Sequence, residues 1–329
     1  MAEKATIADV ARYANVSRQT VSNVLNSPEV VKEETRQRVL AAVEALGYRV
    51  NAAARQMRTG RSRLLATRIE TTQDGINVYD RFLHGLTESA ARSGYRVLLY
   101  TAIDDRSEIA TIDQLLGEFE PDGFVLTGTH HGDARTSWLA RRGLPFVTFG
   151  RPWGAAEAGH PWVDVDGAAG TEAATRHLLA GGHRRIGFVG WETGSGVGDD
   201  RRSGWSRALA AEGLDTGLAL ETDGTTAQGR VAAQELVRRG ATALVCVSDA
   251  VALGALQVTP AVVGFDDTPV AAAIGLTSLG QPLAEAAARC VELLTDQLSG
   301  RIGDRPTEAP ASSPLLLSPT LVIRKDPRP

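Results

Sequence analysis

The stretch that most constrains this chain covers residues 6–26, near its beginning. Thr6 is suited to cap a helix, and Ile7, Val10 and Ala11 then recur at the i, i+3 and i+4 spacing of one apolar helical face. A short turn leads to Ser17, which is suited to cap a second helix whose own apolar face consists of Val21, Val24 and Leu25. The pattern predicts two short helices joined by a tight turn.

The second helix leaves four polar side chains on its outer face: Arg18, Gln19, Ser22 and Asn23. Such side chains read base edges in the major groove, where Arg pairs with guanine and Gln or Asn pairs with adenine. A small helical hairpin with a solvated polar face is the simpler alternative. The density of the pattern favours a helix-turn-helix that reads DNA.

This stretch resembles the helix-turn-helix of the LacI/GalR family of bacterial repressors. The family typically shows T-I-x-D-V-A, V-S-x-x-T-V-S and then Leu-Asn, and this chain carries them at residues 6–11, 16–22 and 25–26. With a third predicted helix after them, the DNA-binding domain is expected over residues 1–49. The resemblance implies a homodimer on palindromic double-stranded DNA, with contacts from Thr6, Ser17, Arg18, Gln19, Thr20, Ser22, Asn23, Asn26 and Thr35.

Length and charge fit a DNA-binding head on a larger body. A chain of 329 residues suggests two or three domains. Residues 1–63 hold 11 Lys and Arg against 6 Asp and Glu, a net +5, and the remainder holds 24 against 33, a net −9. A basic head on an acidic body suits contact between the head and phosphate. With two cysteines, no apolar leader and no membrane-length apolar run, we expect a cytoplasmic protein without disulfides.

Residues 50–62 connect the head to the body. Taken alone, this segment is a linker with an Ala-rich helix too short to persist in water. The resemblance implies a hinge helix that orders on DNA and inserts an apolar wedge into the minor groove. Its implied DNA contacts are Asn51, Ala54 and Met57, with Met57 as the wedge where a leucine is usual. Val50 replaces the family's usual Pro, so we expect hinge ordering to depend more strongly on DNA.

From residue 64 onward, predicted strands alternate with predicted helices. The first strands are predicted at residues 64–69, 96–100, 123–126 and 145–149. The alternation predicts α/β architecture with parallel sheets. The resemblance implies a two-lobed, periplasmic-binding-protein-like core over residues 63–329. Its first lobe is expected at about 63–161 and 282–309, and its second lobe at about 162–281 and 310–329.

Ligands of such a core bind in the cleft, at loops that follow the strands. Three motifs resemble those of the family: R-x-x-G-aromatic at residues 201–205, S-D-x-x-A-x-G at 248–254 and G-F-D-D at 264–267. The resemblance implies a small carbohydrate effector in contact with Arg201, Trp205, Ser248, Asp266 and Gln281. For each charged residue, a structural salt bridge is the alternative.

Weaker candidates and departures accompany these motifs. Trp153, Trp162 and Trp191 are predicted in loops, where each either stacks on a sugar or packs within a lobe. Gly150 stands where many relatives carry Asp, and Arg151 is the candidate substitute for that polar contact. A segment usual in the family is missing between residues 256 and 261, so the helix before it should be short or rebuilt.

Enzyme classes find little support in the sequence. Residues 194–198 are rich in glycine without the G-x-G-x-x-G pattern, and we expect a flexible loop there. His130, His131 and Asp133 lack further ligands at metal spacing, and neither G-x-S-x-G nor H-E-x-x-H occurs. We therefore expect no catalytic residue, no metal and no cofactor.

The resulting prediction is a repressor of sugar uptake or catabolism genes, controlled by a small sugar-like effector that binds between the lobes. A solute-binding protein of a sugar transporter is the alternative, since it shares the two-lobed core. That class needs a signal peptide and no DNA-binding head. The sequence shows the reverse of both features.

Overall fold

The structure is a computed structural model that describes residues 5–49, 56, 60–69, 79–155, 158–259, 261–300 and 315–324. The chain divides into two compact units, Met1–Ser62 and Arg63–Pro329. The hinge residues Val50, Asn51, Ala54 and Met57 lie outside the described residues. None of the helices in the described ranges combines the length and apolar character that a membrane span requires.

The N-terminal unit contains the helices α1 (Ile7–Tyr13), α2 (Arg18–Asn26) and α3 (Glu33–Ala45). Thr6 and Asp9 form a capping box at α1, because the Thr6 amide donates to Asp9 Oδ2 at 3.0 Å and the Asp9 amide donates back to Thr6 Oγ1. Asn15, in the turn, adopts a positive φ of 53°. The α3 helix lacks a side-chain cap because Lys32 precedes it. The helices enclose Val10, Ala11, Ala14, Val21, Val24, Val39 and Ala42.

The larger unit is built from alternating strands and helices. Its strands are β1 (Leu64–Arg68), β2 (Arg96–Tyr100), β3 (Gly123–Leu126), β4 (Phe146–Phe149), β5 (Trp162–Val165), β6 (Ile186–Trp191), β7 (Ala219–Thr222), β8 (Ala243–Cys246), β9 (Val262–Asp266), β10 (Thr277–Gly280), β11 (Leu315–Leu317) and β12 (Thr320–Val322). Its helices are α4 (Asp80–Arg92), α5 (Asp105–Glu118), α6 (Ala134–Arg141), α7 (Gly167–Ala180), α8 (Gly196–Ala211), α9 (Thr226–Arg238), α10 (Asp249–Ala255), α11 (Pro269–Ala273) and α12 (Leu283–Gly300).

These strands form two six-stranded sheets, one in each lobe. The first lobe has the strand order β11-β5-β4-β3-β1-β2, and the second has β12-β10-β9-β8-β6-β7. The described pairings are parallel except for the antiparallel pairing of β10 with β12. Every residue of the central strands β3, β4 and β8 is buried, which is typical of parallel sheets covered on both faces. The predicted two-lobed α/β architecture is confirmed.

Strand pairing refines two of the expected lobe boundaries. We expect the second lobe to begin at about residue 162, and in the structure β5 pairs in parallel with β4, so the first sheet extends to Val165. We also expect residues from about 310 to 329 to belong to the second lobe. Two short strands stand there and join different sheets, because β11 pairs with β5 in the first sheet and β12 pairs with β10 in the second. The chain between them therefore crosses from one lobe to the other.

Two local expectations also need comment. The glycine-rich residues 194–198 do not form a loop throughout, because α8 begins at Gly196 and Ser195 caps it by accepting the Gly198 amide. The α10 helix is indeed short, as expected from the missing segment. Its neighbour β9 nevertheless pairs in parallel register with β8, so the shortened connection leaves the sheet intact.

Candidate functional site

A cleft lies where strands of both sheets end at their carboxyl termini. It encloses a cavity of about 670 Å³, within the range of about 300–1,000 Å³ usual for small-molecule sites. Four of the five predicted effector residues line it: Arg201, Ser248, Asp266 and Gln281. Asp266 ends β9, and Ser248 and Gln281 follow β8 and β10 closely, so the topology brings them together.

Arg201, on α8, is the central cation of the cleft. Its Nη1 donates to the Val247 carbonyl at 2.5 Å, and its Cζ lies 3.6 Å from the centre of the Phe265 ring. Burial lowers the pKa of Arg201, an effect that Asp266 opposes. The buried Nε has no hydrogen-bond partner among the described residues. Contacts within its own lobe therefore hold the Arg201 side chain in place, and its Nε–H donor has no partner among the described residues.

Asp266 is the matching carboxylate. Its Oδ1 lies 3.8 Å from Arg201 Nη1 and accepts a 2.7 Å hydrogen bond from Gln281 Nε2. Burial raises the pKa of Asp266 to about 7, although the Arg201 guanidinium opposes the shift. Its φ of 113° lies in a region that residues other than glycine rarely adopt, and such strain clusters at ligand sites.

Ser248 and its neighbour Asp249 have different roles. The Ser248 hydroxyl caps α10 by accepting the Val251 amide at 3.4 Å. Asp249 is fully buried and accepts hydrogen bonds from Thr268 and Ser278, which ties α10 to the start of α11 and to β10. Burial raises the pKa of Asp249. Ser248 thus borders the cavity, whereas Asp249 holds the loops that form it.

Trp205 is not an effector residue in this structure, which corrects the fifth prediction. Only 1% of its surface is exposed, and its Nε1 donates to the Ile186 carbonyl at 3.2 Å. Its ring stacks on Phe188 with 5.5 Å between centroids, in the core of the second lobe. Trp205 follows Arg201 by one helical turn, but at that point α8 is already covered by α7 and β6.

Sequence reasoning missed the charged contact between the lobes. Arg151 follows β4, and its guanidinium donates to Asp164 at 2.6 Å and to both carboxylate oxygens of Asp200 on α8 at 3.3 Å. Both aspartates line the cavity. The sequence suggests Arg151 as the substitute for a polar sugar contact beside Gly150. In the structure its guanidinium pairs instead with Asp164 and Asp200, two residues of the cavity wall. Asp200 directly precedes Arg201 in the sequence, which was the one available signal.

Two of the three weaker tryptophan candidates reach the cavity. Trp191 ends β6, and Trp153 comes from the loop after β4, so each lobe contributes one indole. Trp153 packs closely on the second lobe, because a Cβ added at Gly196 would lie 2.3 Å from its ring. Trp162 lies on β5 and does not line the cavity among the described residues.

The head presents the predicted reading residues on and around α2. Arg18 and Gln19 are exposed, and Gln19 Nε2 donates to Asn23 Oδ1 at 2.9 Å. Ser17 accepts the Thr20 amide at 3.0 Å as the α2 cap. The remaining predicted contacts in the described head are exposed or half-buried: Thr6, Thr20, Ser22, Asn26 and Thr35. The outer face of α2 is thus available to a partner of this unit.

Comparison with known families decides the class of protein. Residues 6–51 match "Bacterial regulatory proteins, lacI family", and residues 72–263 match "Periplasmic binding proteins and sugar binding domain of LacI family". This chain belongs to the LacI family. It is a DNA-binding transcriptional regulator with a sugar-binding domain, and it is not an enzyme.

Individual LacI-family relatives agree along nearly the whole chain. The transcriptional regulator CelR of Thermobifida fusca is 32% identical over 90% of this chain and 92% of its own length. A solved CelR–cellobiose complex is 29% identical, with a TM-score of 0.71 over 98% of this chain and 99% of that one. The lac repressor dimer bound to operator and the anti-inducer ONPF shares the fold, at 24% identity and a TM-score of 0.82 over 99% of this chain and 100% of that one.

One cluster outside the cleft has metal-like spacing. Ligand atoms of Asp105, His130 and Asp133 lie within 4.8 Å of one another. Arg135, fully buried, takes both carboxylates, with Nη2 at 2.6 Å from Asp133 and Nε at 3.3 Å from Asp105. Its Nη1 also pairs with the buried Glu108 at 2.8 Å. The guanidinium offsets part of the negative charge of these carboxylates, and the described contacts form an ion-pair network in the first lobe.

Proposed function

We propose that this regulator represses genes for the uptake or breakdown of a sugar, and that an uncharged saccharide bound in the cleft sets its affinity for operator DNA. The observation that carries the proposal is the buried set of Arg201, Asp266 and Gln281, which offers donors and acceptors to hydroxyl groups. Trp191 and Trp153 offer aromatic surface to the C–H face of a sugar from opposite lobes.

The charges of the cleft favour a ligand without negative charge. Four carboxylates line the cleft, those of Asp164, Asp200, Asp223 and Asp266. The described lining residues include one guanidinium, that of Arg201. Arg151 offsets Asp164 and Asp200 through its ion pairs. A phosphate or carboxylate on the ligand would thus enter a site with excess negative charge, where like charges repel.

We infer that the protein acts as a homodimer in the cytoplasm and binds a palindromic operator with paired α2 helices. Two-fold dimers match two half-sites in this way. The solved lac repressor relative is described as a dimer bound to operator, which supports the arrangement. Effector binding would then change operator affinity through a coupling free energy of about 1–3 kcal/mol. The solute-binding alternative is disfavoured because residues 6–51 match the DNA-binding regulatory proteins of the LacI family.

A thermal-shift screen against neutral saccharides tests the ligand class. Cellobiose is the first candidate because the CelR relative was solved with it. A ligand at 100 times its dissociation constant should stabilise the folded body by about 2.7 kcal/mol. Glucose 6-phosphate and gluconate are anionic controls. Stabilisation by the anions but by none of the neutral sugars would contradict the proposed ligand class.

Operator binding tests the regulatory part. The operator would first be selected from random duplex DNA with the purified protein, and its affinity measured with and without the stabilising sugar. Asp266→Ala should abolish the effect of the sugar and keep operator affinity. A normal sugar response in this variant would move the effector site elsewhere, and increased operator affinity with sugar would indicate a co-repressor rather than an inducer.

A further inference from the structure

A second cavity, of about 710 Å³, lies within the first lobe. Its wall is formed by α6, by the loop after β4 and by the end of α12, which contributes Gln297. It shares only Thr129 and Trp153 with the lining of the effector cleft. None of the five residues predicted as effector contacts (those of the family motifs and Gln281) lines it, so this cavity, called here the lobe-1 pocket, needs a separate account.

Part of the wall of the lobe-1 pocket is flat and apolar. Phe146 forms part of its floor, and the His160 ring lies over Phe146 with 4.9 Å between centroids. Leu144 and Pro152 add aliphatic surface. Burial lowers the pKa of His160, so this imidazole is neutral at pH 7 and adds to the uncharged wall. Such a surface fits the face of an aromatic ring.

Two residues that line the pocket each carry a buried polar side-chain atom without a protein partner among the described residues. These atoms are the indole Nε1 of Trp153 and the side-chain carbonyl Oε1 of Gln297. One is a donor and the other an acceptor. A buried polar atom left without a partner costs about 1–3 kcal/mol, so each atom needs a hydrogen bond from a water molecule or a ligand.

The charged groups of the wall are already paired. Asp133 accepts from Arg135, and His130 Nε2 lies 3.0 Å from Asp105 Oδ1. Although burial opposes protonation, the hydrogen bond to Asp105 raises the pKa of His130. The described lining contains no lysine or arginine. Among the described lining residues, the pocket therefore offers no unpaired charge to an ionic ligand.

We propose that the lobe-1 pocket binds a second small molecule, an uncharged aromatic amide. Its ring would lie against Phe146 and His160, its carbonyl would accept from Trp153, and its N–H would donate to Gln297. Trp153 also lines the effector cleft and packs on Gly196 of the other lobe, so it connects the two cavities. The site does not depend on the identity of the cleft ligand.

Benzamide is the probe, and the indole N–H resonances of the ¹⁵N-labelled full-length protein are the readout. The chain has five tryptophans, and Trp153→Phe identifies the Trp153 resonance by its loss. Benzamide should shift that resonance in a saturable way. Gln297→Leu, which keeps side-chain volume and removes the acceptor, should weaken binding at least about tenfold. Gln234→Leu, an exposed glutamine of α9 in the second lobe, is the matched control and should change nothing.

Benzoate has the same shape but a charge and no N–H, and it should bind at least about tenfold more weakly than benzamide. Ala140→Trp fills the pocket from an exposed position of α6 and should also abolish the shift. A Trp153 resonance that does not move with benzamide would mean that water alone satisfies the two buried atoms. A shift that persists in both Gln297→Leu and Ala140→Trp, or one seen at Trp191 alone, would place benzamide elsewhere. Each of these three results overturns the proposal.

Discussion

Asp266 should make the stability of the body depend on pH between 6 and 8. The carboxyl is buried beside Arg201, and burial raises its pKa from 3.8 to about 7. A carboxyl whose pKa is higher in the folded state binds its proton more tightly when folded. Its contribution to stability is therefore fully present below the unfolded pKa and is lost as the pH rises through the folded pKa. Asp266→Asn removes the titration and nearly keeps the shape.

The size of the effect follows from the two pKa values. With a folded value of about 7, protonation of Asp266 contributes about 1.4 kcal/mol at pH 6 and less than about 0.1 kcal/mol at pH 8, relative to the charged form. The wild-type protein should thus lose about 1.4 kcal/mol more unfolding free energy between these pH values than Asp266→Asn. Titrating groups that do not interact with Asp266, including His130, are common to both proteins and cancel in this difference.

Urea unfolding followed by tryptophan fluorescence measures this difference. All five tryptophans lie in the body and none in residues 1–62, so the signal reports the larger unit alone. Both proteins would be unfolded at pH 6, 7 and 8 in buffers of equal ionic strength. If the two stability curves run parallel across this range, Asp266 does not titrate there, and the argued balance between burial and the Arg201 charge is wrong.

Three further changes have defined expected outcomes. Trp205→Ala should lower the unfolding free energy of the body by about 3–5 kcal/mol. Trp205→Phe should leave the sugar affinity measured by isothermal titration unchanged. Loss of sugar binding in a stable Trp205→Phe protein would contradict the placement of Trp205 in the core. Arg151→Ala and Asp200→Asn should show a coupling energy of about 0.5–3 kcal/mol in a double-mutant cycle of unfolding, and additive effects would argue against a direct ion pair. Arg18→Ala should cost about 1–3 kcal/mol on the selected operator in an anisotropy titration; unchanged affinity would remove its base-reading role.

The sequence was informative where a motif fixes a residue at a strand end. Asp266 and Ser248 belong to such motifs, and parallel strands bring their carboxyl ends to one edge of the sheet. Trp205 also belongs to a motif, but the motif does not say how far α8 is covered by its neighbours. Its burial depends on packing between α7 and α8, which is so close that a Cβ at Gly204 would lie 1.9 Å from the Ala168 carbonyl.

Contacts between distant parts of the chain were beyond sequence reasoning. Arg151 and Asp200 are 49 residues apart and meet only because the two lobes face each other there. The sheets that β11 and β12 join were also beyond sequence reasoning. Each strand has three residues, and a periodic pattern needs more positions before it indicates which sheet a strand joins. Their assignment to different sheets depends on the partners β5 and β10, and no local signal in residues 315–322 specifies those partners.

Among the described residues, Arg201 and Asp266 form an incomplete hydrogen-bond network in the cleft, which indicates how the proposed saccharide would act. Arg201 and Asp266 are 3.8 Å apart, longer than the roughly 2.7–2.9 Å of a charge-assisted hydrogen bond. Burial also shifts both pKa values toward the neutral forms, so the pair is poorly compensated. A ligand hydroxyl can donate to Asp266 and accept from Arg201 Nε, which completes both groups at once. Because Asp266 sits on β9 while Asp164 and Trp153 belong to the other lobe, a ligand large enough to reach both sides gains its affinity by holding the lobes in one arrangement.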